Sequence, residues 1–226
     1  MPKYVIVGGS AGGIGAVEAI REVDPVGTIA MISEETFPQY SRPMIADFLS
    51  GEVTLEKMKY RGDLFWEKNE VQALTGNKAV SLNLADRYVK LNGGGRINFE
   101  KLLIATGGKP FVPEMEGADK DGVFTFTKFS DAERIATKIG AAEKAVVIGG
   151  GLIGVSTAEA LTKCGLEVTI VELKDRILNL ILDEVASEIV EKGIKEAGIT
   201  IVTGQTVKQI LGSPENDSVV GGVVLT

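Results

Sequence analysis

The chain carries the same local pattern twice, and this repeat limits its possible folds more than any other feature does. The first copy reads VIVGGSAGGIGAVEAI from Val5, and the second reads VVIGGGLIGVSTAEAL from Val146. In each copy a short apolar run precedes a glycine-rich turn, and apolar residues then recur at helical spacing. When the copies are aligned, Gly8 falls on Gly149. The sequence therefore predicts an α/β fold with two Rossmann-like βαβ units.

The second copy has every element of a dinucleotide-binding turn. Gly149, Gly151 and Gly154 follow the strand at GxGxxG spacing, and Glu172 ends the next strand. The first glycine permits a tight bend, the second lets the backbone approach a pyrophosphate, and the third lets the helix pack on the strand. A carboxylate at the end of the second strand accepts hydrogen bonds from the adenosine ribose and repels a 2′-phosphate. The pattern predicts binding of NADH in preference to NADPH, a preference that the nearby Arg176 weakens.

The first copy departs from this pattern at one position, where Ser10 replaces a glycine. A Cβ and a hydroxyl there either crowd a pyrophosphate or donate a hydrogen bond to it, and Gly12 relieves the crowding. Glu34 is the favoured ribose acceptor of this copy, and Glu35 is the alternative. One glycine-rich turn is a weak signal, but two turns with the same flanking elements predict two dinucleotide sites.

Composition excludes several classes of function. The formal net charge of −7 argues against a nucleic-acid partner. No apolar run reaches the roughly 18 residues of a membrane span, and no signal peptide precedes the first strand, so we expect a cytoplasmic protein. Histidine is absent and Cys164 is the single cysteine, which excludes a disulfide within the chain and predicts no metal site. Any chemistry must come from a cofactor or from carboxylates, lysines and tyrosines.

The segments between the repeats have weaker patterns. Residues 37–62 read as irregular, and Pro110 and Pro113 mark a linker. Ser130 with Glu133 three residues later predicts a helix N-terminus with a capping box. Residues 183–197 have the spacing of an amphipathic helix that Gly198 stops.

Together these motifs resemble those of the two-dinucleotide-binding flavoprotein reductases, the FAD/NAD(P)-dependent pyridine nucleotide-disulfide oxidoreductases. The resemblance rests on the two turns, on YSRPMIADFL after the second strand and on LLIATGGKPFVP from Leu102. The nearest branch holds NADH oxidases, rubredoxin reductases and nitrite reductase flavin domains. The resemblance implies an FAD-binding domain over residues 1–112, into which an NAD(P)-binding domain over residues 113–226 is inserted.

The resemblance also implies a reaction, in which hydride passes from NADH to FAD and electrons then pass to an unidentified small-molecule or redox-protein acceptor. It implies no catalytic side chain, since the named residues position cofactors. Arg42 would pair with the FAD phosphates, and the Val80 backbone would contact the adenine. The residues implied for FAD are Gly8, Ser10, Ala11, Gly12, Glu34, Arg42, Val80, Ala105, Thr106 and Gly107. The residues implied for NADH are Gly149, Gly151, Leu152, Ile153, Gly154 and Glu172.

Some positions depart from the family pattern. Many relatives have a lysine at the position of Asp47 and a glutamate at that of Ser156, where the two form an ion pair beside the flavin N5. Their absence predicts slower hydride transfer or a different acceptor. No cysteine lies near Arg42, and Cys164 is expected to be a packed thiol, so a disulfide reductase is not expected.

The chain is also short for this resemblance. Relatives continue past the NAD(P) domain with a flavin motif and an interface domain, whereas this sequence stops at Thr226. We therefore expect an incomplete sequence, a remnant, or a chain completed by a second chain or in a homodimer. The alternative functions are a nucleotide-binding chain without turnover, one part of a two-chain reductase, or a flavin-free NAD-binding module.

Overall fold

A computed structural model describes residues 1–37 and 39–226, which form two compact units. The first unit comprises Met1–Ser41 and Leu55–Gly108, and the second comprises Arg42–Thr54 and Lys109–Thr226. The strands are β1 Tyr4–Val7, β2 Ile29–Ile32, β3 Val71–Leu74, β4 Ala79–Asn83, β5 Tyr88–Leu91, β6 Arg96–Asn98, β7 Lys101–Ile104, β8 Lys144–Ile148, β9 Glu167–Glu172, β10 Thr200–Thr203, β11 Val207–Gly212 and β12 Val220–Leu225. The helices are α1 Ala11–Val23, α2 Ile45–Leu49, α3 Leu55–Met58, α4 Phe65–Lys68, α5 Phe129–Ile139, α6 Leu152–Lys163 and α7 Glu184–Glu196, with a 3₁₀ turn at Arg42–Met44.

The first unit is built on a parallel sheet with the strand order β3-β2-β1-β7. The short strands are apolar because both faces of this sheet are covered. On one face Ile6 and Met31 pack with Ile14 and Val17 of α1. On the other face the antiparallel sheet β4-β5-β6 contributes Val89 to a second core cluster.

The second unit repeats this plan with the parallel sheet β10-β9-β8. Helix α6 packs Ala158 and Leu161 against Val168 and Ile170 of β9. The antiparallel hairpin β11–β12 has its own cluster with Val171. Strand, glycine turn, helix and strand thus occur in the predicted order in both units, which confirms the α/β fold with two Rossmann-like units.

Residues 42–54 differ from the sequence prediction, which treated residues 37–62 as irregular; residue 38 lies outside the described residues. They form the 3₁₀ turn and α2, and they belong to the second unit rather than the first. Leu49 is buried in the core of that unit, and the ring of Phe48 lies 4.7 Å from that of Phe129. This segment is helical because its apolar residues are spaced to lie on one face of a helix, and the core of the second unit covers that face.

Two further contacts hold this segment to the end of α6. The Lys163 ammonium lies 3.0 Å from both carboxylate oxygens of Glu52, and the carboxylates of Glu159 and Glu52 raise the pKa of Lys163. The Cys164 thiol donates to the carbonyl of Leu49 at 3.3 Å, and burial raises the pKa of that thiol. Cys164 is therefore a protonated, packed thiol.

The start of α5 lies two residues before the predicted one, so the prediction of Ser130 as the cap was wrong. The helix begins at Phe129 with Lys128 as its N-cap, and Asp131 replaces Glu133 in the capping box. The buried Asp131 carboxylate accepts from the backbone N–H groups of Thr127 and Lys128, at 2.8 and 3.0 Å. A buried carboxylate with two backbone donors is a stronger anchor than an exposed serine hydroxyl.

Asp24, just after α1, joins its own turn to the start of β1 and makes the stability of the first unit sensitive to acid. Its carboxylate accepts from the Lys3 ammonium at 2.6 Å, from the Tyr4 hydroxyl at 2.9 Å and from the Gly27 N–H at 2.9 Å. The bond from Lys3, followed by that from Tyr4, lowers the pKa of Asp24 from 3.8 to about 2. Because the folded carboxyl is the stronger acid, its contribution is complete above pH 3.8 and disappears as the pH falls towards 2.

We expect Asp24→Asn to lower the urea midpoint of unfolding at pH 7. The difference from the unchanged chain should shrink as the pH falls from 4 to 2, since Asp24 of the unchanged chain is then increasingly protonated and loses the charge that the variant lacks at every pH. Urea unfolding followed by circular dichroism across this range tests the prediction. A difference that stays constant with pH contradicts it.

No helix among the described residues is long and apolar enough to cross a bilayer.

Candidate functional site

The turn between β8 and α6 has the shape that its glycines predict. Gly149 has φ of +107°, a region that favours glycine, and its N–H donates to the carbonyl of Val171 at 2.8 Å. A Cβ on Gly154 would lie 1.9 Å from the carbonyl oxygen of Gly149. The first and third glycines are thus required by the backbone of the turn itself.

Gly151 is different, because the turn does not require it. Its φ and ψ of −79° and −178° suit any residue, and a Cβ there would meet nothing within 4 Å. It is the N-cap of α6, so the N–H groups of Leu152, Ile153 and Gly154 have no partner within the helix. Leu152 and Ile153 are exposed. The missing side chain leaves open space beside the positive end of a twelve-residue helix, as a bound pyrophosphate needs.

The Glu172 carboxylate is held in place at the edge of this space. One oxygen accepts from the Gly150 N–H at 2.6 Å, and the other accepts from the Lys174 N–H at 2.8 Å. Each carboxylate oxygen has a further lone pair, so two more donors can bind. Glu172 therefore presents an oriented negative charge next to the turn.

Arg176, predicted to weaken the preference for NADH, lies in the loop after β9. Its guanidinium Nη1 lies 3.1 Å from the Asp175 carboxylate, which offsets part of its charge. Its Nε is buried and has no hydrogen-bond partner among the described residues.

The turn between β1 and α1 repeats this geometry in the first unit. Gly8 has φ of +119°, and its N–H donates to the carbonyl of Ile32 at 2.8 Å. A Cβ on Gly13 would lie 1.9 Å from the Gly8 carbonyl oxygen. A Cβ on Gly8 would lie 2.0 Å from the carbonyl oxygen of Ala105, so the backbone that follows β7 packs directly against this turn.

Ser10 adopts the same backbone conformation as Gly151. Its φ and ψ are −86° and −160°, and it is the N-cap of α1 just as Gly151 is of α6. The serine therefore costs no backbone strain, and at this position the two copies differ in the side chain alone. Ala11 and Gly12, which follow it, are exposed.

The acidic residues of the first unit do not match Glu172 in register. Gly8 pairs with Ile32 as Gly149 pairs with Val171, so Ser33 takes the position of Glu172. Glu34 follows, exposed, with its carboxylate 3.0 Å from the Lys78 ammonium. The Glu35 carboxylate accepts from the buried Tyr40 hydroxyl at 2.6 Å. Of the two candidates, Glu34 is the more exposed.

The remaining predicted FAD residues of the first unit lie at the end of β7 and on β4. The Ala105 N–H donates to the carbonyl of Val7 at 2.8 Å, and this bond places the end of β7 beside the first turn. Thr106 and Gly107 follow it and are exposed, and Val80 on β4 is half exposed. The end of β7 thus brings Ala105 and the first turn to one edge of the sheet.

Arg42, Asp47 and Ser156 lie in the second unit. The Arg42 guanidinium Nη1 donates to the carbonyl of Thr127 at 2.9 Å. Asp47 lies on α2 and Ser156 is exposed on α6.

The sequence analysis did not predict the backbone N–H groups of Gly150 and Lys174 that bind Glu172, or the ion pair of Lys78 with Glu34. No sequence motif marks these contacts. The residues that the structure describes include no group of three or more His, Cys, Asp or Glu side chains that could hold a metal ion.

Comparison with known proteins gives one family and a set of longer relatives. Residues 2–226 match the family model described as pyridine nucleotide-disulphide oxidoreductase. The chain is 34% identical to the NADH-dependent phenylglyoxylate dehydrogenase subunit epsilon of Aromatoleum evansii over 209 residues, which cover 92% of this chain and 49% of the relative. It is 29% identical to the NADH oxidase of Enterococcus faecalis, with 94% and 49% covered.

A solved structure shows the same fold. The NAD-dependent persulfide reductase from A. fulgidus superimposes with a TM-score of 0.91 at 32% identity, covering 98% of this chain and 42% of that one. The chain spans about half the length of the two curated relatives named above.

Proposed function

The chain belongs to the pyridine nucleotide-disulphide oxidoreductase family, and from that premise we propose that it is the nucleotide-binding part of an NADH-dependent FAD flavoprotein oxidoreductase. Its reaction would pass hydride from NADH to FAD and then electrons to an acceptor. Residues 1–112 would form the FAD-binding part, apart from residues 42–54, which pack in the second unit, and residues 113–226 would form the inserted NAD(P)-binding part.

The observation that carries this proposal is the matched geometry of the two turns. In each, the third glycine has no room for a Cβ, while the residue at the helix N-cap adopts an ordinary extended backbone. The excluded Cβ at the third glycine fixes the shape of the turn. The unstrained N-cap residue leaves space for a ligand in front of the helix N-terminus. Two such turns in one chain suit two dinucleotides, and the family match suggests FAD and NADH as the two.

The second turn would hold the NADH. Backbone N–H groups from Gly151 to Gly154 would donate to the pyrophosphate, with Leu152 and Ile153 supplying two of them. Glu172 would accept from the two ribose hydroxyl groups, using the lone pairs that Gly150 and Lys174 leave open. The same carboxylate would repel a 2′-phosphate, which favours NADH over NADPH.

The first turn and its neighbours would hold the FAD. Ser10, Ala11 and Gly12 would face its pyrophosphate, and Glu34 would accept from its ribose. The other residues proposed to contact it are Gly8, Arg42, Val80, Ala105, Thr106 and Gly107. FAD, when bound, supplies the hydride-accepting chemistry. The side chains of this protein position the two cofactors, and none of them is proposed to move a proton.

The acceptor would be a small molecule or a redox protein. The relative from Aromatoleum evansii is named as a subunit of a dehydrogenase, which favours a multicomponent assembly, whereas the NADH oxidase relative favours a small acceptor.

Anaerobic titration of the purified chain tests the proposal. We expect a flavin absorption band near roughly 450 nm that NADH bleaches, with NADPH less effective at equal concentration. A colourless chain that also fails to bind added FAD contradicts the FAD site. A flavin band that NADH does not bleach, although NADH binds, supports the alternative of a nucleotide-binding chain without turnover.

A further inference from the structure

The loop between β9 and α7 contains a residue in a backbone conformation that its type rarely adopts. Leu178 has φ of +53°, in the left-handed region that favours glycine. Its side chain is buried in the core cluster of the second unit, next to that of Ile177. Strain of this kind persists where the surrounding structure imposes it, and it is concentrated at functional sites. The contacts of the peptide group between Ile177 and Leu178 indicate what the strain achieves.

This peptide group is hydrogen-bonded at both of its polar ends. The Leu178 N–H donates to the carbonyl of Gly150 at 2.8 Å. The Ile177 carbonyl accepts from the hydroxyl of Ser187, a buried residue of α7, at 3.0 Å. Because both ends are bound, the plane of the peptide group has a fixed orientation. The positive φ of Leu178 allows this orientation while its side chain stays in the core.

Helix α7 also holds the preceding peptide group of the loop. The Glu191 carboxylate accepts from the Ile177 N–H at 3.2 Å, and Glu191 lies one helical turn after Ser187 on the same side of α7. A Cβ on Gly150 would lie 2.7 Å from Cγ2 of Ile177, so the loop packs directly against the glycine turn. Two polar side chains of α7 therefore hold the loop in contact with the turn.

The bond from Leu178 acts on one of the donors proposed for the coenzyme pyrophosphate. The Gly150 carbonyl and the Gly151 N–H belong to one trans peptide group, in which they point in opposite directions. The bond to the carbonyl therefore fixes the direction of the N–H. A carbonyl that accepts a hydrogen bond also makes the N–H of its own peptide group a stronger donor. As the N-cap of α6, Gly151 has an N–H that the helix does not use.

We propose that Ser187 and Leu178 are positioning residues for NADH, which orient the Gly151 N–H toward the pyrophosphate of the coenzyme. A series of hydrogen bonds starts at the Ser187 hydroxyl and continues through the Ile177–Leu178 peptide group. It then reaches the Gly150–Gly151 peptide group. Orienting this donor before the coenzyme arrives removes part of the ordering cost of binding. The inference rests on the proposed NADH site in the second turn.

Calorimetric titration with NADH, together with thermal melts, tests the role of Ser187. In Ser187→Ala we expect NADH affinity to fall about fivefold, because the Gly151 N–H loses its fixed direction. Thr162→Val is the matched control, since the Thr162 hydroxyl also donates to a backbone carbonyl, that of Ala158 at 2.9 Å, but lies at the other end of α6. It should leave NADH affinity unchanged, whatever its melting temperature. A merely structural role of Ser187 would change the melting temperature alone.

Titration with ADP then locates the effect. ADP carries the adenosine and the diphosphate of the coenzyme without the nicotinamide, so Ser187→Ala should weaken binding of ADP and NADH by the same factor. Normal NADH affinity in the folded variant overturns the positioning role, and so does a loss that ADP does not share. An unchanged chain that binds neither ligand contradicts the proposed coenzyme site and this inference with it, whereas failure in the variant alone leaves that site standing.

A pair of substitutions at Leu178 tests the left-handed conformation. Leu178→Gly and Leu178→Ala both remove the buried aliphatic side chain, but glycine alone adopts φ of +53° without strain. We expect the glycine variant to bind NADH about threefold more tightly than the alanine variant, because alanine favours a relaxed backbone that breaks the bond to Gly150. Equal affinities of the two folded variants overturn the role of Leu178.

Discussion

Gly151→Val is expected to weaken NADH binding about a hundredfold while leaving the fold of the chain intact. The backbone at this position suits any residue, and a Cβ there would meet no protein atom within 4 Å. The added side chain would instead occupy the space in front of the α6 N-terminus. Losing two hydrogen bonds from backbone N–H groups to a charged pyrophosphate costs about 3 kcal/mol, which corresponds to this factor.

Gly154→Ala should behave differently, although it adds less volume. Its Cβ would lie 1.9 Å from the Gly149 carbonyl oxygen, so the turn must distort. Overpacking of this kind costs about 1–3 kcal/mol, and we expect both the melting temperature and NADH affinity to fall. Gly15→Ala on α1 is the control, because its Cβ would meet nothing and alanine favours a helix.

Calorimetric NADH titrations and thermal melts of the three variants separate these effects. The expected pattern is loss of binding with normal stability for Gly151→Val, and loss of both for Gly154→Ala. Normal NADH affinity in a folded Gly151→Val chain would show that the coenzyme does not use this turn.

Both turns could be predicted from sequence because their constraints are local. The restraint on Gly13 comes from Gly8, five residues earlier, and the restraint on Gly154 comes from Gly149 in the same way. Steric exclusion of a Cβ leaves glycine as the residue that fits, so spacing alone carries the information. The order of strand, turn, helix and strand around them follows from apolar periodicity.

Residues 42–54 could not be placed from sequence because their partners are distant. Arg42 binds a carbonyl 85 residues away, and Glu52 pairs with an ammonium 111 residues away. No local pattern specifies such contacts, and the tertiary core decides which unit the segment joins. The partner of Glu34 escaped prediction for the same reason, since Lys78 lies on another part of the chain.

The cap of α5 shows a second kind of failure. The sequence favoured Ser130 as the N-cap, but the helix begins earlier, with Lys128 as its N-cap and Asp131 as the third helical residue. The buried Asp131 carboxylate accepts from two backbone N–H groups there, while Ser130 is exposed within the first turn. The two-residue shift of the helix start matters little to the fold. It shows that tertiary packing decides the start of a helix where the local sequence allows more than one.

The preference for NADH over NADPH should change most when Glu172 is replaced. A suitable substitution removes the charge of this side chain while keeping its length. Glu172→Gln keeps a side chain of the same length and an oxygen that can accept from one backbone N–H, but it removes the negative charge. We expect NADPH affinity to rise about tenfold in this variant, since repulsion of the 2′-phosphate is lost, while NADH affinity falls less than that.

Adding a cation next to residue 172 should complete the reversal of the coenzyme preference. Leu173 follows Glu172 directly and is exposed, so an arginine there can reach a 2′-phosphate without disturbing the core. Glu172→Gln with Leu173→Arg is expected to prefer NADPH, and Leu173→Arg alone should change the preference less, because the carboxylate still opposes the phosphate. Equilibrium titration of each variant with both coenzymes at one ionic strength measures the preference. An unchanged ratio of affinities in Glu172→Gln would mean that the carboxylate serves the turn through its bonds to Gly150 and Lys174, and that selection between the coenzymes lies elsewhere.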